Sequence, residues 1–123
     1  MGDLEALRAM AESRLLERGD ELVERERREL ACLLAVIGEI DRRRLHLWVG
    51  YSTMFEFCLG RWRYSRDAAY RRLHASRACR RHPEAYSLIN DGSLSLSALA
   101  TVEPFLAEHG GVALLERAKG MGR

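Results

Sequence analysis

The side chains best suited to chemistry in this chain are arginines, and they are unevenly placed. Eleven Arg and only two acids fall between Arg42 and Arg81, a local excess of nine positive charges. Residues 1–41 carry a net −5 and residues 82–123 a net −2, so the overall +2 conceals a polarised molecule. A field of that sign draws polyanions, and duplex DNA is the commonest of these. The one lysine is Lys119, a bias that explains the choice of Arg over Lys but not the segregation of charge. A solvated or protein-binding basic face is the alternative.

The run Ser65-Arg66-Asp67-Ala68-Ala69-Tyr70-Arg71-Arg72-Leu73-His74 concentrates the useful groups. Arg can fork onto guanine O6/N7 or a phosphate, and Tyr can reach a phosphate oxygen. On one helix, Arg66, Tyr70, Arg71 and His74 would face a groove. Arg77, Arg80 and Arg81 would lie at its flank, and Arg61 and Arg63 in the preceding turn would meet backbone. Ser65 opens the helix as its N-cap, with Asp67 in the first turn where the helix dipole favours an acid.

The elements that position these groups are helical. Leu4, Leu7, Ala11 and Leu15 recur at helical spacing until Gly19-Asp20 interrupts them. A second helix is expected from Glu21 to Trp48 on the stripe Val23, Leu30, Leu33, Leu34, Ile37, Ile40, Leu45 and Trp48, closed by a left-handed Gly50. A helix of that length needs a partner, either the first helix or a second copy of itself. Shorter helices follow. One is capped by Ser52 and ends at Gly60; one runs from Ser65 to about Arg81. Another begins at Pro83 and ends near Asn90-Asp91-Gly92, and a further one, capped by Ser95 or Ser97, runs through Leu99, Val102, Phe105 and Leu106 and is broken at Gly110-Gly111. No window alternates long enough for a strand. The expectation is an all-α single domain: a helical arm over 1–49, a helix-turn-helix over 50–82 and supporting helices over 83–119. In the helix-turn-helix, Phe55, Cys58 and Leu59 would face the core from the first helix, and Ala69, Leu73 and Ser76 from the second.

Sequence alone narrows other chemistries. At 123 residues the chain suits one modest core. The apolar run Leu30–Ile37 is far too short for a bilayer, and no secretory pattern opens the chain. Cys32, Cys58 and Cys79 are odd in number and widely spaced, which fits reduced thiols and a cytoplasmic or nucleoid-associated protein. Cys79-x-x-His82, with His74 and Cys58, lacks the paired spacing of a zinc site, and Cys58 and Cys79 fall at core positions, so no metal is assigned. His46 is expected to cap or pack, and His109 to assist a helix end. Trp48, Tyr51, Trp62 and Tyr64 read as packing anchors, with Trp62 retained as a base-stacking candidate because Arg flanks it on both sides. No phosphate loop or nucleophile–base arrangement is present, so no catalytic or cofactor residue is named.

The stretch Gly50 to Ala100 resembles the N-terminal helical region of bacterial HNH endonuclease-like proteins. Gly50-Tyr51-Ser52, Ala69-Tyr70-Arg71-Arg72 and Asp91-Gly92-Ser93-Leu94-Ser95-Leu96-Ser97 carry the likeness. Ile40-Asp41-Arg42-Arg43-Arg44-Leu45 and Leu115-Glu116-Arg117-Ala118-Lys119-Gly120 extend it to roughly residues 20–120. More distantly, the helix order is similar to the DNA-binding core of ParB-type partition proteins. The resemblance implies that Ser65–Arg77 is a recognition helix and Asp91–Leu99 its support. The nuclease module of such proteins needs a His base, a metal ligand and an orienting Asn on a ββα hairpin. This chain has one asparagine, Asn90, no strand signal and no clustered His pair. It therefore reads as the DNA-recognition part of such a protein and not as an enzyme. A helical dimerisation module whose Arg face binds an acidic partner is the second reading.

Overall fold

The computed structural model describes residues 2–107 and 110–120; His109 lies outside them. Eight α-helices are found among these residues, and no strand: α1 (Gly2–Arg8), α2 (Glu12–Arg42), α3 (Leu45–Trp48), α4 (Met54–Gly60), α5 (Arg66–Arg81), α6 (Glu84–Asn90), α7 (Leu96–Val102) and α8 (Gly111–Ala118), with a 3-10 turn at Glu103–Phe105 between the last two. The all-α architecture with a long N-terminal helix is the expected one. No helix is long and apolar enough to cross a membrane among the described residues.

The long helix is placed differently from the sequence expectation. It runs unbroken through Gly19-Asp20, and the interruption falls instead between Arg8 and Glu12. A Gly inside a helix weakens it by about 1 kcal/mol, too little to break one whose far end is anchored by packing. At the other end α2 stops at Arg42, not Trp48. Arg44 adopts a left-handed conformation (φ 55°), and the chain restarts as the one-turn α3, which Gly50 closes at φ 94°.

Only the second half of α2 is covered. Leu34 and Ile37 are buried, with Leu30, Leu33 and Ile40 packed around them, whereas Glu12 to Glu29 is exposed almost throughout. That free portion extends roughly 27 Å at 1.5 Å per residue.

The core is organised around α5, which packs on α2, α4, α6 and α7. Its inward residues are mostly small: Ala69, Ala75, Ser76, Ala78 and Cys79 beside Leu73. Small side chains let the neighbouring backbones approach closely. Opposite them on α2, a Cβ at Gly38 would lie 3.1 Å from Arg80 Cδ and 3.3 Å from Ser76 Oγ. Ser76 donates its hydroxyl to the Leu34 carbonyl at 3.0 Å, satisfying a buried polar group inside this crossing. Ile89 of α6, Leu99 of α7 and Leu115 of α8 complete the same cluster.

Candidate nucleic-acid interface

The helix pair α4–α5 is set by its caps. Thr53, and not Ser52, caps α4: Glu56 N–H donates to Thr53 Oγ1 at 3.0 Å, while the Ser52 hydroxyl donates to the Glu56 carboxylate at 2.6 Å. Two polar groups thus converge on one acid at the positive end of the helix. The buried face of α4 is Met54, Phe57 and Cys58; Phe55 and Leu59 are half-buried at its margins. The rotation from the expected Phe55–Cys58–Leu59 face follows from Phe57, which takes Tyr51 and Trp62 edge-on at 5.8 and 4.8 Å between ring centroids. Gly60 accommodates the Tyr51 ring, against which any Cβ would collide.

Five residues, Arg61 to Ser65, join the two helices. Trp62 packs between Phe57 and Tyr64, so it anchors the turn and is not presented as a stacking surface. Arg63 holds a left-handed conformation (φ 57°), which turns the backbone over in a place where most chains use glycine. Ser65 then caps α5, accepting from Ala68 N–H at 3.1 Å. Its hydroxyl oxygen accepts in that bond, which leaves its O–H as a donor at the start of α5. Arg72 also serves the fold: its guanidinium lies 4.6 Å over the Tyr64 ring and donates to the Ala68 carbonyl at 3.1 Å.

Because α5 is surrounded, its free surface is a narrow strip. Arg66, Tyr70, Arg77 and Arg81 are exposed along it, spaced so that they share one side of the helix. None of these three arginines has an ion-pair partner among the described residues. The guanidinium carbon of Arg66 rests 5.3 Å over the Phe55 ring, which holds the charged head against α4. Arg61 and Arg63, also exposed and without an acid partner, continue the basic surface into the turn.

Three of the expected residues are placed otherwise. His74 is half-buried, with Nδ1 2.7 Å from Glu103 Oε1 and its ring under Tyr70 at 4.1 Å between centroids. It ties α5 to the 3-10 turn and orients Tyr70 from beneath. Arg80 is held by Asp41 at 3.0 Å, which cross-links α5 to α2 and cancels its charge. Arg71 is half-buried and turned toward α7, where it lines a cleft with Tyr70, Ser97, Thr101, Pro104 and Phe105. Phe105 sits beside the candidate residues; helical spacing with Leu99, Val102 and Leu106 places it on an apolar stripe, but α7 ends at Val102 and the 3-10 turn leaves Phe105 exposed.

The rest of the charge block is partly neutralised. Glu39 accepts from Arg42 at 2.6 Å and from Arg43 at 2.7 Å, and these hydrogen bonds hold its carboxyl down at about 2. Arg44 keeps no such partner among the described residues.

Cys58 and Cys79 are core residues. Burial pushes both thiols up, Cys79 to about 12, and Cys32 is exposed. His46 is buried with its Nδ1 unpaired. No group of three or more metal-ligating side chains is assembled among the described residues.

The fold and this strip define an all-helical protein with a free basic surface on its central helix. Comparisons of the chain with protein-family models, curated proteins and solved structures found no match.

Proposed function

We propose that this chain is a DNA-binding helix-turn-helix domain, corresponding to the DNA-recognition part of an HNH endonuclease-like protein and without a cleavage role of its own. The observation that carries this reading is the alignment of Arg66, Tyr70, Arg77 and Arg81 on the one open side of α5. Such a strip suits a duplex: unpaired guanidinium groups exchange loosely bound counterions for phosphates, and an exposed helix edge fits the roughly 12 Å major groove. Arg61 and Arg63 at the helix-turn junction supply further backbone contacts. His74 and Arg80 contribute by fixing α5.

The test is a titration of labelled duplex DNA at two salt concentrations with wild type and an Arg66→Ala/Arg77→Ala variant. Binding is expected to weaken with salt, and the double substitution to lower the log–log slope by about 2. Absence of duplex binding at low salt would sink the reading.

A second reading, self-association, is favoured by the free half of α2. Leu15, Leu16, Leu22 and Val23 are exposed on one stripe, which continues the stripe buried further along the same helix. A second copy of this chain is the occupant proposed, since helix-turn-helix proteins commonly read two half-sites as dimers. The pairing surface is then Glu12–Glu29 and not the whole of Glu21–Trp48, because Leu30 onward already faces the protein's own core. Light scattering across a concentration series tests it, with Leu16→Glu/Val23→Glu expected to yield monomer; a wild type of monomer mass at high concentration would exclude it.

A further inference from the structure

The groove-facing strip uses one side of Tyr70's surroundings and leaves the cleft between α5 and the α7–3-10 corner unexplained. We propose that this cleft binds one nucleotide of a single strand, with its base stacked on Tyr70 and Phe105 and its phosphate on Arg71. The proposal rests on the nucleic-acid reading above and extends it from duplex to unpaired strands.

Three observations converge. The cleft encloses about 530 Å³, within the roughly 300–1,000 Å³ range of small-ligand pockets. Two of its walls are aromatic and open to solvent, Tyr70 being 51% and Phe105 56% exposed. The two rings make no contact with each other: Tyr70's ring partner is His74, and Phe105 has none among the described residues. The cleft volume leaves room for a planar group beside these rings. Arg71 lines the same cleft, half-buried and without an acid partner among the described residues, unlike Arg42, Arg43 and Arg80. A cation that has lost part of its hydration with no counter-charge gains more from an anion than a fully solvated one.

An aromatic wall beside a free guanidinium is the combination that binds single strands, because every base has a π-face and every nucleotide a phosphate. The Thr101 hydroxyl is already donated to the Ser97 carbonyl at 2.8 Å, so stacking and charge carry the binding proposed here. In a duplex each base is stacked on its neighbours, so these rings can engage a base only once it is unpaired. Arg66 and Arg77 on the adjoining strip continue the positive surface for the flanking phosphates.

The experiment compares a short labelled oligothymidylate with an abasic oligomer of the same length and charge, by anisotropy, using the full chain as wild type, Phe105→Ala, Phe105→Tyr and Arg71→Ala. Phe105 is exposed, and circular dichroism melting checks that each variant is folded. Wild type is expected to prefer the thymidylate by about tenfold. Phe105→Ala should erase that preference while leaving abasic and duplex binding intact, and Phe105→Tyr should retain it. Arg71→Ala should weaken both oligomers. Equal affinity of wild type for the two oligomers, or an unchanged preference in Phe105→Ala, would overturn the proposal. Duplex binding without base preference removes this site and spares the groove reading; base preference without duplex binding does the reverse. No binding to any oligomer overturns both.

Discussion

The two halves of α2 carry the same apolar stripe and meet opposite fates. Leu34 and Ile37 vanish into the core against α5 and α6, while Leu16 and Val23, three and two heptads before Ile37 on that face, stand in solvent. The halves differ equally in their glycines. Gly38 is pressed against Ser76 and Arg80, and Gly19 has nothing within 4 Å of where a Cβ would be. Periodicity thus reveals which side of a helix is apolar, but not how far along it other elements extend. The cover ends at the turn after α6, where Gly92 lies against the Arg27 side chain.

Substitutions matched across the two halves should break or sharpen this contrast. Leu34→Ala removes a fully buried side chain and is expected to cost about 2–5 kcal/mol in urea unfolding. Leu16→Ala should stay within about 0.5 kcal/mol. A larger, concentration-dependent loss at Leu16 would mean that the free half is covered by a second copy. Next in size, Gly38→Leu forces branched bulk into the α2–α5 crossing and is expected to destabilise by about 1–3 kcal/mol. Gly19→Ala should instead stabilise by up to about 1 kcal/mol through helix propensity. Destabilisation by Gly19→Ala would show that something passes close to that position in solution.

The cysteines extend the comparison in chemical terms. Cys32 is exposed on α2, and Cys79 is buried on α5 with its thiol raised to about 12 by desolvation. In native protein at neutral pH, Cys32 should alkylate readily, and Cys58 and Cys79 only as fast as the fold opens, as read by mass spectrometry. Because the folded thiol keeps its proton above the ordinary value of 9.0, the unfolded chain ionises first. Stability should therefore decline as pH rises from about 9 towards 12, and be insensitive to this group below.

What was legible beforehand was local. The Ser65 cap, the Ser65-to-Arg81 extent of α5 and the left-handed Gly50 all follow from a few adjacent residues, and of the two serines offered for α7 the structure uses Ser95. The failures came from distance in the chain. His74 finds Glu103 across 29 residues, and Arg80 finds Asp41 across 39. No spacing rule announces either contact, so both residues looked available for DNA. Phe105 is a related case: helical spacing puts it on an apolar stripe, whereas the 3-10 turn at Glu103–Phe105 sets it beside Tyr70 and Arg71. Within α4, the choice of Thr53 over Ser52 as cap depended on which hydroxyl the Glu56 side chain would take, a competition between neighbours that composition does not resolve.

The charge block itself divides into committed and free arginines, and the smallest expected effect follows from that division. Arg42 and Arg43 both grip Glu39, whose carboxyl is lowered from 4.5 to about 2 by their hydrogen bonds. A depressed carboxyl contributes its pairing above its unfolded value and loses it as pH falls through the folded one. The grip is thus complete from about pH 5 upward and fails only in strong acid. At neutral pH an Arg42→Ala/Arg43→Ala variant should leave the salt slope of duplex binding nearly unchanged, whereas Arg66→Ala/Arg77→Ala lowers it by about 2. Both variants remove the same formal charge. A net-charge effect acting at long range would reduce the two slopes alike, so equal losses would reject an interface confined to the open strip of α5.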